Sequence, residues 1–170
     1  MPTATYEPIQ TQTLGSATQT VTLSDIPGTF TDLVLIMSIA SATGSGSAIR
    51  MRINGNLTAT DYSTTYLQGL GSSNGNSARE NDAALGYQVG VTNSFVNTYI
   101  LNFMNYSNNT TFKNYIGRIN SGLDGVSANT MTYRSTSPIT ILSFRVGNYA
   151  SPTNNFAAGS TFTLYGIKAA

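Results

Sequence analysis

The side chains able to do chemistry near neutral pH are few, and two of the most versatile kinds are missing. The 170 residues include no histidine and no cysteine. Imidazole proton transfer, thiolate attack and the usual zinc ligands are therefore closed to this chain. A Ser-His-Asp triad cannot be assembled. A Ser-Lys variant would have to draw on Lys113 or Lys168, each on a predicted strand without a nucleophile motif.

Glycoside hydrolysis needs only two carboxyl groups, one of them held protonated by its surroundings. The candidates are Glu7, Asp25, Asp32, Asp61, Glu80, Asp82 and Asp124, of which Glu80 and Asp82 are close enough to cooperate. Residues 69–81 show no periodicity and read as an exposed polar loop, which offers no desolvation to raise a carboxyl pKa. Asp25, Asp32, Asp61 and Asp124 flank strands or turns, where Asp typically caps backbone donors. Calcium would accept hard oxygens from Asp61, Glu80 and Asp82, yet no loop carries a calcium-binding signature, so neither metal nor cofactor is expected. Ten tyrosines and no tryptophan allow sugar stacking, with Tyr62, Tyr66 and Tyr87 as the platform beside the 69–81 loop. Tyrosine is equally a strand and interface residue, its ring packing while its hydroxyl reaches a partner. The chain is expected not to be an enzyme.

The elements that must position these groups are strands. Apolar and polar residues alternate with period two, and helical spacing is hardly sustained anywhere. In residues 48–54, Ile49, Met51 and Ile53 share one face while Arg50 and Arg52 share the other, which predicts a half-solvated antiparallel strand. Residues 33–37 are continuously apolar and predict a central strand covered on both faces. Further strands are predicted at 9–14, 21–23, 99–106, 112–119, 130–134, 139–146 and 161–168. Turn chemistry stands at Pro27-Gly28, Asp124-Gly125 and residues 148–155, with Asn54-Gly55 the strongest hairpin signal. Many short strands without a fixed repeat predict one all-β domain over residues 1–170, an antiparallel β-sandwich of jelly-roll type.

Composition narrows the partners. Only 9% of residues are charged, against about a quarter in an ordinary protein, and the net charge is +1. The eight Lys and Arg residues are spread along the chain, so neither nucleic acid nor a membrane surface is an expected partner. Ser, Thr, Asn and Gly replace charge, and a neutral surface lets many copies pack with little Coulomb resistance. No run approaches the roughly 18 apolar residues of a membrane span, and no secretory leader is evident, so a soluble cytoplasmic product is expected.

Several segments carry a resemblance: Tyr6-Glu7-Pro8-Ile9 with Thr13-Leu14-Gly15-Ser16, residues 21–27, Phe30-Thr31-Asp32-Leu33-Val34-Leu35, Arg52-Ile53-Asn54-Gly55, and the ending 158–168. Together they resemble a loosely defined family of small virion structural proteins of tailed bacteriophages, including those of cyanobacteria and other aquatic bacteria. The resemblance implies a β-sandwich subunit displayed on the virion, made in the host bacterial cytoplasm, commonly homo-oligomeric, and without catalytic residues. A capsid decoration or cement protein is expected, trimeric by preference, contacting virion proteins such as the major capsid protein. Tyr6, Ile9, Tyr62 and Tyr66 are its expected partner-contact residues, and residues 1–14 an extended arm or an edge strand. The alternative is a tail-fibre or tail-tip module that recognises host glycan.

Overall fold

The computed structural model describes residues 5–43, 48–71, 73–85, 91–122, 125–147 and 152–168. Tyr87, Asp124 and the start of the turn at 148–155 lie outside them, as does the beginning of the 1–14 segment. Among the described residues the chain forms thirteen strands and no α-helix. They are β1 (Tyr6–Thr13), β2 (Thr20–Leu23), β3 (Asp32–Ile39), β4 (Ile49–Ile53), β5 (Tyr62–Leu70), β6 (Ser73–Glu80) and β7 (Ala84–Leu85). The remainder are β8 (Asn97–Met104), β9 (Lys113–Ser121), β10 (Gly125–Tyr133), β11 (Leu142–Gly147), β12 (Pro152–Asn154) and β13 (Thr161–Ile167).

All ladders are antiparallel. An eight-stranded sheet runs β1-β13-β3-β8-β9-β10-β5-β6, and a five-stranded sheet runs β12-β11-β4-β7 with β2 also paired to β11. Four pairings nest inside one another: β1 with β13, β2 with β11, β3 with β8 and β4 with β7. Nesting first with last across two facing sheets is the jelly roll. The pairs β5-β6 and β9-β10 are inserted into that nest and widen the large sheet.

Alternation decides what lies between the sheets. Leu33, Leu35, Met37 and Ile39 of β3 turn inward, as do Ile49, Met51 and Ile53 of β4 and Leu142, Phe144 and Val146 of β11. Phe162 of β13 meets Phe144 across the gap at 5.9 Å between ring centroids, and Phe156 edge-on at 5.2 Å. Each such side chain, withdrawn from water, contributes roughly 1.5–3 kcal/mol.

Several sequence expectations change. β3 is central in its sheet but only partly covered on its outer face, where Val34 is buried and Ile36 is 37% exposed. The predicted 69–81 loop is largely strand: residues 69–70 finish β5 and 73–80 form β6, which pairs with β5 from Thr64↔Glu80 to Leu70↔Ser73. Within the 1–14 segment, residues 6–13 are an edge strand, since β1 pairs with β13 from Tyr6↔Ile167 to Thr13↔Thr161, with a bulge between Pro8 and Gln10. Asn54-Gly55 turns tightly, with φ of 51° and 71°, but makes no hairpin, because β5 leaves it for the other sheet.

The reason lies in the Asn54 side chain. Its Oδ1 accepts the backbone N–H of Thr140 (2.9 Å) and Ile141 (3.1 Å), and its Nδ2 donates to the Pro138 carbonyl at 2.7 Å. The predicted strand 139–146 therefore begins only at Leu142, its first residues being held by this amide. We expect Asn54→Ala to cost about 2–4 kcal/mol in urea unfolding, from lost hydrogen bonds and a left-handed backbone. Asn54→Gly should recover about 1 kcal/mol of that loss by relieving the backbone alone.

Candidate functional site

Arg50 and Arg52 project from the outer face of β4, where the sequence predicts solvent, yet Arg52 is buried. Both converge on one acid: Arg50 Nε donates to Asp82 Oδ2 at 2.7 Å and Arg52 Nη1 to Asp82 Oδ1 at 3.1 Å. Asp82 Oδ1 also accepts the Ala83 N–H at 2.7 Å, while the Asp82 carbonyl accepts Thr64 Oγ1 at 2.6 Å. The Arg52 guanidinium lies 5.2 Å from the centre of the Tyr62 ring. Asp82 is thus occupied in joining β4 to β5, its carboxylate accepting three hydrogen bonds from within the fold.

Glu80 does stand beside Asp82, as the sequence reading required, and its pKa is raised. Partial burial is the main cause; the Asp82 charge adds to it and Arg50 opposes it. Asp82, its neighbour, is held by two guanidiniums. Asp61 accepts Asn56 Nδ2 at 2.7 Å, Asp32 accepts the Asn105 N–H at 2.7 Å, and Glu7 pairs with Lys168 at 2.7 Å. Among the described residues no three acidic side chains gather to hold a metal ion.

Lys113 also takes a structural place. Its ammonium is buried beneath the 108–111 turn and donates to the carbonyls of Asn108, Thr111 (2.8 Å) and Thr136 (3.1 Å), which uses all three protons. Burial lowers its pKa.

The tyrosines divide by face. Tyr62 and Tyr66 point inward from β5 and are buried, so neither presents its ring to a partner or a sugar. Tyr62 Oη instead accepts the Ile53 N–H at 3.1 Å and donates to the Asn56 carbonyl at 2.9 Å, and its ring stacks on Tyr133 with centroids 4.9 Å apart. Desolvation pushes its hydroxyl pKa up to about 12. Tyr6 is exposed at the sheet edge, with its ring edge-on to Tyr165, and Ile9 is half-buried against the core. The structure does not bring these four residues together into one surface.

What it does bring together is the outer face of the eight-stranded sheet. Register places Thr163, Ile36, Ile100, Arg118, Ala128 and Leu67 in one row across β13, β3, β8, β9, β10 and β5. The next row holds Tyr165, Val34, Asn102, Ile116, Thr130 and Thr65. Leu67 is 64% exposed, Val126 57% and Ile116 52%. Several exposed aliphatic side chains gathered on one sheet face mark a contact surface better than scattered single residues would. Two shallow, mostly apolar depressions of about 380 and 470 Å³ lie on either side of Ala128, whose small side chain leaves both open. Sequence reasoning missed this face because Ile116, Val126 and Leu67 resemble core residues when alternation alone is considered. Residues 113–121 carry apolar side chains on both faces, so the pattern does not say which face is covered.

Comparison with models of known protein families, with curated protein sequences and with solved structures finds no match for this chain.

Two outcomes are expected of the charged cluster. Asp82→Asn leaves two guanidiniums without their acid and should lower unfolding stability by about 2–3 kcal/mol, less than a fully buried pair because water reaches the site. Glu80 has a folded pKa above its unfolded value of 4.5. Its favourable contribution is therefore complete below that unfolded value and is lost as pH rises through the folded one. Glu80→Gln, which mimics the protonated form, should melt slightly above wild type at pH 7 and converge with it in acid, as followed by thermal unfolding across pH.

Proposed function

We propose that this protein is a structural subunit of a virus particle, a decoration or cement protein that reinforces the capsid by contact and catalyses nothing. The observation that carries the reading is the outer face of the eight-stranded sheet, rich in exposed aliphatic and Thr side chains, with Arg118 in its central rows and Arg79 at its β6 edge. Such a face favours a large rigid neighbour over a small substrate, because shallow apolar relief offers contact area but few convergent polar groups.

Three further features support it. The jelly roll is a scaffold that recurs in viral capsid proteins, which is an argument by analogy. Low charge keeps crowded copies from repelling one another. Of the acidic pair nearest to a catalytic arrangement, Asp82 is committed to ion pairs within the fold. On this reading the protein is made in the bacterial host, assembles as a homo-oligomer with a trimer preferred, and sits among major capsid subunits.

The test is a particle assembled without the protein. It should lose thermal and mechanical stability, and purified protein should restore both while appearing as surface density in particle images. The double variant Ile116→Ser, Val126→Ser should keep its fold, melting within about 4 °C of wild type. It should nevertheless fail to restore the particle. Particles that stay equally robust without the protein but no longer adsorb to host cells would overturn the cement reading in favour of glycan recognition.

A further inference from the structure

Asn-Gly is the dipeptide most prone to spontaneous deamidation, because no Cβ on the glycine hinders its nitrogen from reaching the asparagine side chain. The chain has two, Asn54-Gly55 and Asn74-Gly75. In the reaction the Gly nitrogen attacks Asn Cγ and loses its proton, while Nδ2 gains one and leaves as ammonia. Water then opens the resulting succinimide ring to aspartate or isoaspartate. No enzyme, metal or oxidant takes part.

At Asn54 two features of the fold oppose this chemistry. Asn54 has φ of 51° and Gly55 of 71°, and the Asn56 N–H donates to the Ile53 carbonyl at 3.0 Å, closing a tight turn of the primed kind. A left-handed backbone at Asn54 swings the Gly55 nitrogen to the side of Cα away from Cβ, out of reach of Cγ. The side-chain amide is held as well. Oδ1 accepts the N–H groups of Thr140 and Ile141 and Nδ2 donates to the Pro138 carbonyl, so the amide turns towards Gly55 only by leaving all three. Gly55 is exposed, and the barrier is therefore conformation and not exclusion of solvent.

We propose that Asn54 is a latent modification site, silent while residues 138–141 are clamped and converted to acid in chains where that segment opens. Ammonia is lost, so the conversion is one-way. The aspartate product places a carboxylate oxygen where Nδ2 donated, and two acceptors, it and the Pro138 carbonyl, then face one another without a proton between them. Isoaspartate lengthens the backbone of a tight turn. A chain modified here re-forms the clamp only in part, and the segment leading into β11 is left less firmly tied to the end of β4. The inference stands independently of the contact role proposed above.

The experiment follows Asn54 of the full-length protein by peptide mass spectrometry during incubation in mildly alkaline buffer, folded and in denaturing urea. In urea Asn54 should convert readily, with Asn74 in the same samples confirming that the conditions support the chemistry. In the folded protein Asn54 should convert at least about thirtyfold more slowly, because the hydrogen bonds of the clamp must break first. Amide hydrogen exchange of Thr140 and Ile141, whose N–H groups bind Asn54, reports how often the clamp opens. The folded rate should equal the urea rate multiplied by that open fraction. Pro138→Gly, which loosens the segment without touching Asn54-Gly55, should raise the folded rate roughly two- to fivefold and leave the urea rate unchanged. Conversion of Asn54 at equal rates folded and unfolded, or at neither, would overturn the proposal. A folded rate unrelated to the opening seen at Thr140 and Ile141, or unmoved by Pro138→Gly in a cooperatively folded variant, would overturn it too, since something other than the clamp would then shield the site.

Discussion

The structure depends on closing the chain end to end. β13 pairs on one side with β1 and on the other with β3, so residues from the two extremes of the sequence form adjacent rungs of one ladder. Thr11 and Thr163, 152 positions apart, share a hydrogen bond between their hydroxyls. Nested pairing of this kind delays its reward: each outer ladder requires a long loop to be closed before its contacts form. No disulfide offsets that entropy, because the chain contains no cysteine. Stability rests on the collective burial of the aliphatic and aromatic side chains between the sheets, and on a few clamps where strands change sheets. Asn54 is one such clamp and Asp82 another.

The second constraint is the unequal width of the two sheets. The inner faces of the inserted strands turn markedly polar: Thr64, Gln68, Ser127 and Asn129 are all buried. Asn129 Nδ2 donates to Tyr115 Oη at 3.0 Å, and a Cβ on Gly117 would come within 2.3 Å of Asn129 Oδ1 and 2.6 Å of Leu101. Glycine at this position is thus a matter of space. The outer faces of the same strands carry Leu67, Ile116 and Val126. Along β5, β9 and β10 the usual assignment of polar residues to solvent and apolar residues to the interior is partly reversed, and that reversal creates the face on which the functional proposal stands.

This reversal also explains what could be read in advance. Where alternation and burial agree, as in β4 and β11, the inward residues Ile49, Met51, Ile53, Leu142, Phe144 and Val146 were legible from the sequence, and with them the all-β sandwich. β5 was not, because Tyr62, Thr64, Tyr66 and Gln68 form an inner face that looks polar on a hydrophobicity pattern. β6 was hidden by its Ser, Asn and Gly content, which signals a loop when pairing partners are unknown. The candidate site was legible only in part. Proximity of Glu80 to Asp82 follows from the chain, whereas the two guanidiniums that neutralise Asp82 come from β4 through tertiary packing. Tyr62 and Tyr66 were expected at a partner surface because tyrosine suits interfaces, but the same amphipathic ring also suits a buried position with one hydroxyl to satisfy.

The environment of Lys113 has a practical side. The chain contains two lysines, and they differ sharply in access: Lys113 is buried with its protons engaged by three carbonyls, whereas the Lys168 side chain is 46% exposed beside Glu7. The free, deprotonated amine attacks an acylating reagent only where the reagent has room to approach, so among side chains Lys168 is the one modified. Dyes, affinity handles or surface tethers attached to a side chain through amine chemistry will then sit at one end of β13, beyond the central rows of the open face.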